Sequence, residues 1–259
     1  MTIPGSQSQV AVITGGTSGI GLATARRLLA RDHKVAVFSQ RSESVDAARE
    51  ELTREFGHER VIARSVDLAV PAQIDAFFRD LRAIWGHPTV LVCNAGVSPK
   101  GPDGATVFHD IELAEWNEVL AVNLTGAMLC CQAVCPAMME RRFGRIVMIG
   151  SVASRTRPKI AGASYVASKA ALSGLARSLV STYAPYGITS NLVAPGRIAT
   201  NMAGEPDSPT NRAALAAIPS GRLGQPDDVA AVVEFLISQE AGFVNGAIID
   251  INGGEFIPV

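Results

Sequence analysis

Strands alternating with helices along the whole chain predict an α/β fold: a doubly wound parallel sheet of about seven strands with helices on both faces. Three observations carry this prediction. Short apolar runs rich in β-branched residues recur along the chain, each the length of a buried strand. Patterns with a helical apolar face separate them. A glycine-rich turn, Thr14-Gly-Gly-Thr-Ser-Gly-Ile-Gly21, stands between the first strand and the first helix. No internal repeat or linker interrupts the pattern, so residues 1–259 are expected to form one domain behind a loose tail over 1–8.

Val10-Ala-Val-Ile13 is the first strand, and Leu22, Ala25, Leu28 and Leu29 give the first helix its core face. Glycines at a strand-to-helix turn let a backbone approach a pyrophosphate, and the helix N-terminus offers unpaired N–H groups to it. That context separates Gly15, Thr17, Ser18, Gly19, Ile20 and Gly21 from a merely flexible turn. Lys34–Phe38 is strand two, with a polar helical stretch from about Ser44 to Phe56. Val61–Val66 is strand three. Asp67 and Leu68 follow it, the aspartate either a turn residue or a partner for an adenine amino group. Pro71 suits a first helical turn, and Ile74, Phe77, Phe78 and Leu81 line that helix.

Val90–Cys93 is strand four. Asn94, Ala95 and Gly96 are small enough to let the chain pass close to a cofactor. Pro99, Gly101, Pro102 and Gly104 make Ser98–Asp110 a loop. A long helix is expected over Ala114–Arg142, with Asn123 inside it, where an asparagine is unfavourable without a reason. Strand five, from Arg145, ends at Ser151. A helix carrying Tyr165 runs to about Ala184, and Gly187–Val193 is strand six. Pro195-Gly196 then turns away, and 197–224 reads as a lid with one helical patch, Asn211–Ala217. Pro226 opens the last helix, with acids in its first turn, and Ala247–Ile251 is the last strand.

The totals narrow the function. Of 259 residues, 47% are hydrophobic and 18% charged, and the formal net charge is -1, which points to neither nucleic acid nor an anionic membrane. No apolar run reads as a membrane span, and the first residues lack a signal layout. Cys93, Cys130, Cys131 and Cys135 form no CxxC pair, so a disulfide framework or a metal site is not expected and reduced thiols fit a cytoplasmic protein. His33, His58, His87 and His109 fall outside every motif and are expected mostly at the surface.

The chemistry centres on Tyr165-Val-Ala-Ser-Lys169. On a helix the two side chains share one face, one turn apart. An ammonium beside a phenol favours the phenolate, which would make Tyr165 a usable general acid/base. An isolated pair at this spacing is ordinarily a solvated one. Here Ser151 stands just upstream, at the carboxyl end of a buried strand, where open α/β sheets bind ligands. Its hydroxyl can donate to a substrate carbonyl, or it can be a simple turn cap.

Taken together, the glycine turn, Asn94-Ala-Gly96, Asn123, Ser151, Tyr165 with Lys169, and Pro195-Gly196 resemble the short-chain dehydrogenase/reductase family, in its single-domain Rossmann-fold branch. The stretches Gly221–Pro226 and Ile251–Gly254 resemble the 3-oxoacyl-(acyl-carrier-protein) reductase group. The resemblance implies an oxidoreductase that interconverts a ketone and a secondary alcohol. In that reading Tyr165 protonates the carbonyl oxygen and Ser151 orients it. Lys169 holds the nicotinamide ribose and lowers the phenol pKa. Asn123 holds a water that links Lys169 to solvent, and Ile198 and Thr200 hold the carboxamide and phosphates. It also implies a homotetramer built partly from the Ala114 and Tyr165 helices.

Two departures accompany the resemblance. Tyr186 stands where such reductases usually carry a basic residue that docks an acidic carrier protein, and the Ser98–Asp110 loop is longer than usual. A small carbonyl or alcohol is the expected substrate; a sugar, polyol or other secondary alcohol is the alternative. A non-catalytic dinucleotide sensor is a further rival, disfavoured because all four catalytic positions are filled. Arg155, Arg157 and Lys159 flank the site, either as solvated loop charges or as attractants for an anionic substrate.

NADP(H) is the favoured cofactor, with NAD(H) still open. An acid about 20 residues beyond the glycines marks NAD use in this fold. At that place stands Phe38-Ser-Gln-Arg-Ser42, with no acid. Arg41 can contact a 2′-phosphate, with Ser39 and Ser42 adding hydrogen bonds. The run resembles the phosphate-binding run of some NADPH-dependent pteridine reductases. Glu43, close in sequence, argues the other way.

Overall fold

The computed structural model describes residues 8–101, 104–205 and 207–258. Of the expected tail over 1–8, only Ser8 lies among them. The strands are β1 Val10–Thr14, β2 Lys34–Ser39, β3 Val61–Ser65, β4 Val90–Cys93, β5 Gly144–Ile149, β6 Ile188–Pro195 and β7 Ile248–Ile251. The helices are α1 Gly19–Ala30, α2 Ser42–Phe56, α3 Pro71–Trp85, α4 Leu113–Leu120, α5 Gly126–Arg141, α6 Ala163–Tyr183, α7 Pro209–Ala217 and α8 Pro226–Ile237. All seven strands pair in parallel, in the order β3-β2-β1-β4-β5-β6-β7.

The central strands are apolar without alternation because both of their faces are covered. Along β1, Val12 points into one core with Phe38, Phe78, Leu91, Met138 and Ile146. Its neighbours Ala11 and Ile13 point into the other, with Leu28, Val35, Leu52 and Val233. The chain winds outward from β1 to β3, then returns to place β4 on the opposite side of β1. Loops leaving β1 and β4 therefore diverge, and a crevice opens at the carboxyl ends of the strands.

Three expectations change. The long helix is broken by a π turn, Ala121–Thr125, centred on Asn123. The stretch Leu113–Arg141, 29 residues, is long and apolar enough to cross a membrane by length and composition. Its Cys130, Cys131, Val134, Cys135 and Met138 pack into the core of this fold. His33 is buried rather than exposed; its Nδ1 accepts the Gln9 N–H at 3.1 Å, and burial pushes its pKa down.

Candidate active site

A cavity of about 980 Å³ fills the crevice, at the upper end of the size range of ligand pockets. Its walls come largely from the segments that follow the seven strands. Gly15, Thr17, Ser18, Gly19, Ile20, Ser39, Arg41, Asp67, Leu68, Asn94, Ala95, Gly96, Ser151, Tyr165, Lys169, Pro195, Gly196, Ile198 and Thr200 all line it. Three expected site residues do not: Gly21, Ser42 and Asn123.

Gly15 and Gly19 have φ of 62° and 52°, in the left-handed region that favours glycine. Gly21 acts from beneath. A Cβ there would stand 2.4 Å from the Gly15 carbonyl oxygen, so glycine is what lets α1 begin under the turn. Ser18 caps α1 without a side-chain hydrogen bond, and no acid stands in the first turn. The helix therefore presents free N–H groups and an uncompensated positive end, the chemistry of a phosphate site. Thr200 closes it from above, with its Cγ2 3.1 Å from where a Gly19 Cβ would be.

Asn94 fixes this turn. Its Nδ2 donates to the Thr14 and Gly15 carbonyls at 2.9 and 3.0 Å. The backbone N–H groups of Asn94 and Ala95 donate to the Thr14 Oγ1 at 3.0 and 2.9 Å. The carboxylate of Asp67 accepts from the Ala69 N–H at 2.8 Å and from Gln40 Nε2 at 2.9 Å.

At the end of β2 the hydroxyls of Thr17, Ser39 and Ser44 form a triangle with sides of 3.0, 3.1 and 3.3 Å. Arg41 is exposed at the cavity edge, and Glu43 lies outside the lining. Ser44 takes the place expected of Ser42. Because α2 begins at Ser42, that residue turns to solvent while Ser44, further round the first turn, faces Ser39.

Ser151 stands two residues beyond β5 and caps the following turn, where its Oγ accepts the Ala153 N–H at 3.1 Å. Its hydroxyl lies beside the phenol of Tyr165 and lowers that pKa. Burial is the larger influence and leaves the phenol above its usual value. Lys169 is 3% exposed, and its Nζ donates to the Ile149 carbonyl at 2.8 Å. The Nζ lies 5.8 Å from the centre of the Tyr165 ring. Desolvation brings the lysine pKa from 10.5 down to about 8. The expected lowering of the phenol by the ammonium is not seen in the free protein. Asn123 is saturated: its Oδ1 accepts the Val97 N–H at 2.7 Å, and its Nδ2 donates to the Val97 carbonyl and Ser168 Oγ, both at 3.0 Å.

Residues 15–255 match the family model described as Enoyl-(Acyl carrier protein) reductase. The chain belongs to the short-chain dehydrogenase/reductase family. It is an NAD(P)-dependent oxidoreductase acting on CH–OH and C=O groups. It is 34% identical to the 3-oxoacyl-[acyl-carrier-protein] reductase FabG of Escherichia coli (strain K12), over 97% of this chain and 98% of that protein. It is 36% identical to an acetoacetyl-CoA reductase of Shinella zoogloeoides, over 96% of this chain and 99% of the relative. A solved 3-oxoacyl-[acyl-carrier protein] reductase from Brucella melitensis, with bound NAD, superposes with a TM-score of 0.88 at 33% identity, covering 98% of this chain and 93% of that one.

Sequence reasoning missed Arg197, which lines the cavity just beyond Pro195-Gly196. Its Nε donates to Asn211 Oδ1 and its Nη2 to the Ala203 carbonyl, both at 2.7 Å. The signal was an arginine directly after a Pro-Gly turn at the end of a central strand.

Proposed function

We propose that this chain is an NADP(H)-dependent 3-oxoacyl thioester reductase. The observation that carries the reading is that Ser151, Tyr165 and Lys169 line the same cavity as the glycine turn. The full-length similarity to a 3-oxoacyl reductase and an acetoacetyl-CoA reductase supports the thioester.

The dinucleotide, when bound, supplies the hydride. Gly15, Gly19 and the N-terminus of α1 cradle its phosphates, and Thr200 and Ile198 hold it from the β6 side. Ser151 holds the substrate carbonyl by a hydrogen bond. Tyr165 gives its phenolic proton to the carbonyl oxygen as charge develops there. Lys169 holds the ribose and supports the phenolate left behind. Asn123 holds the π turn in place, and the carbonyls freed by that turn lead a water toward Lys169. This gives the internal asparagine a positioning role.

NADP(H) is supported by Arg41 at the cavity edge and by the Thr17–Ser39–Ser44 hydroxyl triangle, where a 2′-phosphate would stand. NADPH-dependent reduction of acetoacetyl-CoA tests the activity. Arg41→Ala should lower kcat/KM for NADPH about tenfold or more and leave NADH nearly unchanged. Wild-type preference for NADH, or no change of preference in the variant, would reject the assignment.

Residues 197–224 act as a substrate-side lid. A bridge between Ile198 and Gly224 closes its base, and the Arg197–Asn211–Ala203 contacts tie its far end down. Hydrogen exchange over α7 should slow when cofactor and substrate bind; equal protection with and without ligand would refute the lid.

The assembly is a cytoplasmic homotetramer, built partly through α4–α5 and α6. Leu113 is 70% exposed at the start of α4, and α6 presents Ala170 and Gly174 to solvent, small enough for a second helix to approach. Light scattering reports the mass.

A further inference from the structure

The substrate side of the cavity is cationic. Lys100, Arg157, Lys159 and Arg197 line it, against one carboxylate on that side, Glu255. The loop after β5 carries Arg155 as well, but its charge is neutralised by Asp250 and its guanidinium lies 5.4 Å over the Phe256 ring. Arg197 is occupied by Asn211 and the Ala203 carbonyl. Among the described residues, the other three have no salt-bridge partner. Arg157 and Lys159 are exposed, and among the described residues neither has an acidic or hydrogen-bonding side-chain partner. Among the described residues, Lys100 reaches only the Met202 carbonyl, at 3.5 Å, beyond normal hydrogen-bond length. Partial desolvation, together with the Arg197 charge, lowers its pKa, and an anion beside it would act in the opposite direction.

The arrangement also has a depth. Arg157, Lys159 and Lys100 are exposed at the rim, whereas Tyr165 and Lys169 lie deeper. The lining on this side also holds the apolar Ile160, Ala161, Met202, Ala213, Ala214 and Phe256. A short keto acid would place its charge too near its carbonyl to use both ends. A long substrate with a remote anion fits both.

We propose that Lys100, Arg157 and Lys159 form an anion subsite at the cavity rim that takes the phosphate of a 4′-phosphopantetheine arm. The inference rests on the thioester reading above. Coenzyme A and an acyl carrier protein both carry an anionic phosphate at this point of the arm, in a diphosphate in the first and in a phosphodiester in the second.

Binding tests the subsite apart from turnover. Pantetheine and 4′-phosphopantetheine are titrated calorimetrically into protein saturated with oxidised dinucleotide, which blocks the cofactor groove. The phosphorylated arm should bind about tenfold more tightly, and Lys100→Ala/Arg157→Ala/Lys159→Ala should erase the difference. Equal binding of the two arms by wild type, or a difference that survives in the triple variant, overturns the proposal. Kinetics give a second reading. The ratio of kcat/KM for acetoacetyl-CoA to that for acetoacetyl-N-acetylcysteamine should fall about tenfold in the triple variant, and raised salt should lower it in wild type. An unchanged ratio overturns the proposal. If neither thioester is reduced while the phosphate preference holds, the thioester reading fails and the subsite stands. A parallel fall with acetoacetyl carrier protein assigns the phosphate of both carriers to these residues; a fall confined to the CoA ester assigns it to coenzyme A. Arg157→Ala alone, at an exposed position, guards against a folding defect in the triple variant.

Discussion

Tyr165→Phe is expected to bind cofactor as wild type does and to lose about a hundredfold to ten-thousandfold in kcat, the usual worth of a positioned general acid. The substitution keeps the ring and removes only the hydroxyl. Packing around the lysine, whose Nζ sits 5.8 Å from the ring centre, is therefore preserved. The direction of the phenol pKa sharpens the expectation. Burial raises it, and the Ser151 hydroxyl offsets this only in part. Near neutral pH the phenol is protonated, the form that ketone reduction consumes. Alcohol oxidation needs the phenolate, so its rate should climb with pH while reduction declines. Ser151→Ala should cost less, because a proton donor remains. Single-turnover kinetics with saturating cofactor measures each. A Tyr165→Phe enzyme of near-normal kcat would remove the tyrosine from the mechanism.

What could be read beforehand followed from how local each feature is. The seven strands were legible because a sheet covered on both faces needs unbroken apolar runs, and Val90–Cys93 or Val10–Thr14 can be little else. The glycine turn was legible because its meaning lies in spacing and flanks. Features set by side-chain direction were not. Ser42 and Ser44 differ by two residues, and only the start of α2 decides which faces Ser39. Asn94 sits where a cofactor contact was expected, yet its amide is taken up by two backbone carbonyls. The asparagine inside the long helix signalled a constraint. Its form, a π turn, leaves no trace in hydrophobic periodicity. The four-residue spacing of Tyr165 and Lys169 put both on one face but could not say that the ammonium would reach past the ring to Ile149.

That reach leads to the second large effect. Lys169→Met should abolish turnover and make the protein more stable at pH 7. The lysine is 3% exposed, and its pKa falls from 10.5 to about 8. The charged form is thus disfavoured in the fold by about 3 kcal/mol. A methionine of similar length removes this penalty but leaves the Ile149 carbonyl without its donor, a loss of about 1–3 kcal/mol. The net gain is about 1 kcal/mol, or about 2–4 °C in Tm for a chain of this size. The pH dependence identifies the cause. Between about pH 8 and pH 10.5 the unfolded lysine keeps a proton that the folded one has lost. Wild-type stability therefore gains with pH across that window, relative to the variant, and the gap should close. Thermal melts of both proteins at pH 7 and pH 10, without cofactor, measure the difference directly and cancel the other titrating groups. A variant that melts lower at pH 7, or a gap that ignores pH, would mean that the ammonium is not penalised by its surroundings. If the gap closes as expected, Lys169 is a buried charge held at the expense of stability, which is the mark of a group kept for its chemistry.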